Sequence, residues 1–286
     1  MHVNDPSLTL SPRTLYLVAT PIGNLRDITL RALDVLKAAD IVLCEDTRVT
    51  QKLLTAYGIK ARLLPYHDKN GEEMRPKILQ LLAENKTLAL VSDAGAPMIS
   101  DPGYRLGIAV KEAGYKIEAL PGASAVITAL QLSGLPTDRF LFAGFMPRKD
   151  GERATEIARY RGVGVTLVFF EAPSRLLDTL GWLSQNAPDT QVAIARELTK
   201  RFEEITSGTP QELLANYEAR KEGVLGEIVL CLRFPAQEIT EESIDAALIS
   251  AMQEMRLKEA AQFVAEQFDL PKNQVYTRAL ALKDKA

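Results

Sequence analysis

Several stretches of this sequence carry reactive side chains in clusters rather than singly. Glu45-Asp-Thr-Arg48 puts two carboxylates and a guanidinium within four residues, a set able to accept a proton and to hold an anion. Val91-Ser-Asp-Ala-Gly-Ala-Pro-Met-Ile-Ser-Asp-Pro-Gly103 sets Asp93 and Asp101 among glycine and proline. Gly95 and Gly103 permit backbone paths closed to other residues, and Pro97 and Pro102 stiffen them. Arg196, Glu197 and Lys200 form a third charged group, and His67 and Glu171 stand near turn residues. Each has a plainer alternative. Asp101 followed by Pro102 has the form of a helix cap, Asp93 can brace its own loop, His67 can be an ordinary surface histidine, and Arg48 can pair with a neighbouring acid.

The elements around these groups alternate. Leu15–Val18, Ile41–Cys44, Arg62–Leu64, Thr87–Val91 and Tyr115–Leu120 are short apolar runs with the look of strands. Between them lie stretches of helical spacing: one opened by Asp27 with Leu30, Leu33 and Leu36 on one face, one through Leu53 and Leu54, and one over 72–84. Such alternation predicts parallel strands joined by helical crossovers. The loops at 19–24, 45–48, 65–71, 93–101 and 121–124 then gather on one sheet edge, where open α/β sheets bind ligands. After a helix from Ser124 to Ser133, strands are expected at 139–145, 165–170, 191–196, 201–206 and 226–232. The pair across Glu197–Lys200 reads as a hairpin, so this second sheet is mixed. From about Thr240 the pattern is all helix. Leu257, Ala260, Ala261, Val264 and Phe268 share a stripe, and Pro271 starts a last helix. Helices joined across Asp269-Leu-Pro271 have the layout of a helix-turn-helix, but their pattern alone asks only that they cover a domain edge or a partner chain. The fold class is therefore α/β, with a tail over 1–12, an N-terminal domain over 13–121, a C-terminal domain over 122–235 and a helical appendage over 236–286.

The 286 residues suit two modest domains. A hydrophobic share of 47%, a charged share of 25% and a net charge of −3 are those of an ordinary globular chain, with no overall basic excess to mark a nucleic-acid binder. Cys44 and Cys231 sit in apolar runs without ligand spacing and only two histidines are present, so no metal site is expected. Buried reduced thiols, the lack of a basic-then-apolar N-terminal segment and the lack of an apolar run of ~20 residues lead to the expectation of a cytoplasmic protein. The Gly-rich dinucleotide fingerprint and the Walker phosphate loop are both missing, which points away from nucleotide pyrophosphate.

Val18-Ala-Thr-Pro-Ile-Gly-Asn-Leu-Arg-Asp-Ile-Thr29, Glu45-Asp-Thr-Arg48, the 91–103 stretch, Pro121-Gly-Ala-Ser124 and Ala195-Arg-Glu-Leu-Thr-Lys200, in that order, resemble the tetrapyrrole methylase family, and within it the bacterial branch that acts on ribosomal RNA. The resemblance covers about residues 13–235, and the helical tail also fits the branch. It implies two α/β domains with S-adenosylmethionine in the cleft between them, a homodimer, and 2′-O-methylation of a cytidine of small-subunit ribosomal RNA near the decoding region. The first loop lacks the glycines usual in tetrapyrrole enzymes, and Gly-Ala-Pro replaces Gly-Asp-Pro in the second. Both departures point away from a tetrapyrrole substrate.

On this resemblance the cofactor set is Pro21, Ile22, Asp93, Gly95, Met98, Ile99, Ser100, Asp101, Ala123 and Ser124, with Phe170 and the backbone near Ala195 against adenine. Methyl transfer to a ribose hydroxyl needs in-line positioning and a proton acceptor. Asp46 or Glu45 is the preferred base, and Arg48 would hold phosphate. RNA contacts are expected from Arg148, Lys149, Arg153, Arg196 and Lys200, although the acids among 148–161 equally give that run the look of a solvated helix face. Two other readings stay open: the same fold acting on a tetrapyrrole or a protein side chain, and a ribosome-assembly factor without turnover.

Overall fold

The computed structural model describes residues 10–101, 103–221, 223–235, 241–268 and 270–283. The expected tail over 1–12 lies largely outside these residues, as do Pro102 and Asp269. Residues 1–235 form one compact unit and 236–286 another.

The first sheet contains β1 (Thr14–Val18), β2 (Ile41–Cys44), β3 (Leu63–Pro65), β4 (Leu88–Val91) and β5 (Lys116–Leu120), all parallel, in the order β3-β2-β4-β1-β5. Every residue of β2 and β4 is buried. Both faces of these strands are covered, which is why their sequences are continuous apolar runs rather than alternating ones. On one face α1 (Leu30–Ala38) and α2 (Thr47–Ala56) bring Val35, Leu36 and Leu54 against Val18, Val42 and Val91. On the other, α3 (Gly71–Ala83) and α4 (Tyr104–Glu112) bring Ile78, Leu82, Leu106 and Val110 against Leu15, Leu43 and Leu90. Because the strands are parallel, the loops that follow them share one edge, as the alternation predicts.

Two helix starts differ from expectation. A 3-10 turn at Leu25–Asp27 precedes α1, and Thr29, accepting from the Ala32 N–H, is its cap. The buried stripe is then Ala32, Val35 and Leu36, and Leu30 is 78% exposed. Gly103, with a φ of 125°, is the residue that caps α4, so Asp101 is released from the capping role and its carboxyl is available for other contacts.

The second sheet contains β6 (Phe140–Phe145), β7 (Thr166–Glu171), β8 (Gln191–Arg196), β9 (Glu204–Gly208) and β10 (Ile228–Arg233), in the order β6-β7-β10-β8-β9. β6 runs parallel to β7 and the other neighbours are antiparallel, so the sheet is mixed. α5 (Ala125–Ser133) packs on one face through Val126, Ala129 and Leu130. α6 (Asp150–Tyr160), α7 (Leu176–Asn186) and α8 (Pro210–Glu218) bury Ile157, Leu180, Leu183 and Tyr217 on the other. The β8–β9 hairpin forms, but β9 starts at Glu204 rather than Arg201: Glu197 and Thr199 adopt positive φ and widen the turn.

The second unit contains α9 (Glu241–Glu254), α10 (Leu257–Phe268) and α11 (Lys272–Lys283), closed around Leu248, Ala260, Ala261, Val264, Val275 and Ala279. Arg278 ties α11 to α9 through Glu241, at 2.9 Å, and Asp245. Among the described residues no helix is long and apolar enough to cross a membrane.

Candidate active site

The two unusual loops of the first sheet are locked to each other. Thr20 N–H donates to Gly95 O at 2.9 Å and Gly95 N–H returns the bond to Thr20 O at 3.0 Å. The Thr20 hydroxyl donates to Ser92 O and the Ser92 hydroxyl to Gly95 O, at 3.1 and 3.0 Å. Gly95 has a φ of 79°, and a Cβ there would lie 3.5 Å from Ile22 Cγ2. The 197–200 turn of the second sheet closes on the same place. Asn24 N–H donates to Thr199 Oγ1 at 3.1 Å, and a Cβ on Gly23 would come within 2.5 Å of Lys200 Cγ.

Between these loops and the second sheet is a cavity of about 370 Å³. From the expected cofactor set, Ile22, Gly95, Ile99, Asp101, Ser124 and Phe170 line it. Ser124 also caps α5 by accepting from Ile127 N–H. Ala94, Phe145, Glu171, Leu198 and Gly226 through Val229 line it as well. Of these, the sequence pointed to Ala94, within the 93–101 loop, and to Glu171, as a candidate catalyst. Phe145 and Phe142 both meet the Phe170 ring, at 5.5 and 4.9 Å between centroids. Pro21 and Asp93 line an adjoining hollow instead. Met98 is not on the cavity wall. Its φ of 73° turns it inward, where its side chain fills the space beside Gly103 and Gly107 against the first sheet's core. Ala195 is buried in the second sheet's core, paired with Val229. Ser100 and Ala123 flank the cavity without lining it.

Glu171 has a different part from the catalytic one weighed for it. Its fully buried side chain accepts from the Thr179 hydroxyl and the Ala172 N–H, at 2.6 and 2.7 Å, and pairs with Arg175 at 3.2 Å. Arg175 in turn donates to the carbonyls of Met146 and Pro147. This network ties the end of β7 to the chain just after β6 and so holds Phe145 over Phe170.

The acids divide by environment. Asp46 caps α2, accepts from Arg48 N–H at 2.8 Å and pairs with the Arg48 guanidinium at 2.6 Å. That hydrogen bonding holds its carboxyl down to about 2, which makes it a weaker proton acceptor than an ordinary carboxylate. Arg48 is correspondingly occupied. Asp93 accepts the Asp46 N–H at 3.2 Å and braces the two loops. Burial raises its pKa, as it does that of Glu45, where Asp93 and Asp68 add to the rise. Asp101 is the acid on the cavity wall with the largest rise among these acids. Burial pushes it up to about 6, with help from the Glu45 and Asp93 charges. His67 Nδ1 accepts from Asn70 N–H at 3.2 Å within the turn before α3, a local structural use. Among the described residues no group of three or more His, Cys, Asp and Glu side chains is arranged to hold a metal.

The expected RNA-binding cations fare unevenly. Arg153 is 1% exposed, donating to Pro147 O at 2.9 Å and paired with Asp150 and Asp178; burial removes it from any RNA-facing set. Arg196 is paired with Glu204 at 2.9 Å, and Lys200 with both Glu197 and Glu227, at 2.8 and 2.9 Å. Lys149 pairs with Glu152 on the exposed surface, and Arg148 beside it is exposed. Arg153→Ala is expected to cost about 2 kcal/mol of stability, because Pro147 O loses a buried donor while the exposed Asp150 and Asp178 are resolvated. Denaturant midpoints read the loss, and RNA affinity stays at the wild-type value.

Two sheets flanked by helices that meet at the carboxyl ends of the first sheet's parallel strands, around a ligand-sized cavity, define the class of this protein. Residues 14–214 match the family model described as Tetrapyrrole (Corrin/Porphyrin) Methylases, and residues 237–283 match the RsmI C-terminal HTH domain. The chain belongs to the tetrapyrrole methylase family. It is 47% identical over 282 residues to the "Ribosomal RNA small subunit methyltransferase I" of Mesorhizobium japonicum, covering 98% of this chain and 95% of that one. It is 41% identical to the protein of that name from Neisseria meningitidis serogroup B, covering 99% of each. Among solved structures, a diphthine synthase superposes with a TM-score of 0.62 at 17% identity, over 77% of this chain and 90% of that one. The cobalt precorrin-4 methyltransferase CbiF follows at 0.57 and 22%, over 77% and 94%. These two likenesses speak to the fold.

Proposed function

We propose that this protein is an S-adenosylmethionine-dependent methyltransferase of small-subunit ribosomal RNA, acting on the 2′-hydroxyl of a cytidine near the decoding region. The observation that carries the reading is the cavity between interlocked loops, in a chain 41–47% identical over nearly its whole length to proteins named for that class of substrate. We read 13–121 and 122–235 as its two domains and 236–286 as its appendage, and take the working form to be a cytoplasmic homodimer.

The residues fit the cofactor. Phe170, Leu198 and Val229 offer a planar and aliphatic surface for adenine. Ala94-Gly95-Ala96 brings bare backbone to the wall, and Glu227 gives a carboxylate for hydroxyl or ammonium groups. S-adenosylmethionine, when bound, supplies an electrophilic methyl group on a sulfonium. The protein's own part is position and proton removal. The Thr20–Gly95 and Thr199–Asn24 contacts fix the walls before any ligand arrives, which lowers the cost of ordering the site. Asp101 replaces Asp46 as the preferred acceptor of the ribose proton, since a carboxyl near 6 is a far better base at neutral pH than one near 2. Arg148 and Lys149 remain for phosphate contacts.

The test uses tritiated S-adenosylmethionine and small subunits, or their RNA, from cells lacking the protein. Label recovered in 2′-O-methylcytidine after digestion is the expected result. Cofactor binding without label in RNA would turn the search to another acceptor, and failure to bind cofactor would undo the reading of both loops.

A further inference from the structure

Beside the cavity opens a hollow of about 270 Å³, and Ile22, Ala94 and Glu227 belong to the walls of both. One side of it comes from α2, where Val49, Lys52 and Leu53 stand at i, i+3 and i+4 and so share a face. Pro21 and Leu25 add apolar surface, and Leu25 is 48% exposed. The charges are unequal. Lys200 is matched by Glu197 and Glu227, whereas Lys52 is exposed and makes no ion pair with the described residues.

We propose that this hollow receives a single RNA nucleotide extruded from its strand, with the base against Pro21, Leu25 and Val49 and a backbone phosphate on Lys52. The proposal rests on the methyl-transfer reading above and names where its acceptor sits. In-line transfer needs the accepting oxygen within ~3–3.5 Å of the methyl carbon, and a ribose at the wall common to both spaces meets that need. The volume lies just below the ~300–1,000 Å³ range of small-molecule sites. One nucleoside suits it and a four-ring macrocycle does not. The apolar residues and Lys52 can stack a base and hold its phosphate, beside the Asp93 and Glu227 carboxylates of the same lining, and enclosure on this scale calls for a nucleotide turned out of its helix.

Val49→Trp and Lys52→Glu test it, alongside wild type, by cofactor calorimetry and by methylation of small subunits. Both variants should keep the cofactor Kd within about twofold. V49W, which fills the hollow, should lower kcat/KM for subunits by ~100-fold or more. K52E should raise KM about tenfold with a much smaller change in kcat, and should reduce the salt dependence of KM by roughly one phosphate contact. V49W with wild-type kcat and KM would overturn the hollow and leave the cavity and the reaction standing. If wild type itself transfers no label to RNA, the functional reading falls and this inference with it. Should V49W lose cofactor affinity, K52E decides: an unchanged KM and an unchanged salt slope overturn the proposal.

Discussion

Arginine at position 95 is expected to abolish binding of S-adenosylmethionine, with no measurable heat in titration calorimetry at ~100 times the wild-type Kd. Two effects combine. A φ of 79° lies in the left-handed region, where a residue with a Cβ costs roughly 1–2 kcal/mol. The added Cβ would start 3.5 Å from Ile22 Cγ2 and 3.9 Å from Ala123 O, so the rest of the side chain has to occupy the cavity that Gly95 lines. Gly95→Ala separates the two. Its methyl sits at ordinary contact distance, so it should show the backbone cost as a loss of about 1 kcal/mol in stability and still bind cofactor. A G95R protein that binds as tightly as wild type would move the cofactor out of this cavity.

The second large effect concerns Asp101. Asp101→Asn is expected to lower kcat on ribosomal RNA by at least ~100-fold, the scale of a lost general base. For wild type, activity should rise with pH through about 6 and then level, because the carboxyl must be ionised to accept a proton. The residual activity of D101N should lack that limb. Stability moves the other way. The folded-state pKa, about 6, lies above the ordinary value of 3.8, so folding favours the neutral acid. The penalty for holding a half-buried carboxylate is absent below about pH 3.8, grows between 3.8 and 6, and is complete above 6. D101N removes it, so the variant should melt higher than wild type at pH 8 and about equally at the acid end. Activity lost together with stability gained marks a group held under strain for function. A D101N enzyme with an unaltered pH profile would return the base to another group, with Glu45 next in line.

The alternating runs and helices carried the architecture openly, because strands buried on both faces, such as Ile41–Cys44 and Leu88–Val91, leave no polar alternation to obscure them. The five-loop edge followed from parallel order alone. What escaped reading were matters of aim and of distant pairing. Asp46 and Arg48 looked like a reactive cluster because a cap and its partner use the same residue types as a catalytic pair. Met98 looked like a lining residue until a positive φ turned it into the core. Arg153 belongs to a basic run by sequence, yet at one turn's spacing from Asp150 and beside Asp178 it is the member that points inward. The Glu227–Val229 wall had no local signal beyond Gly226, whose φ of 94° and contact with Glu197 follow from pairing with strands some thirty residues or more away. The 3-10 turn before α1 displaced the helix face by shifting its start, which moved Leu30 out to solvent.

The place of β10 has a consequence for synthesis. All five strands of the first sheet lie between residues 14 and 120, so that sheet has its complete strand set early in translation and can fold as a unit. The second sheet cannot. Its central strand is its last, and until Ile228–Arg233 emerges β7 and β8 have no partner between them. The same segment brings Glu227, Ile228 and Val229 to the cavity wall. A nascent chain therefore presents its paired loops well before it has a closed pocket. Affinity for the methyl donor should appear late and abruptly, so a chain cut short before β10 would be folded in its first half yet unable to retain the donor.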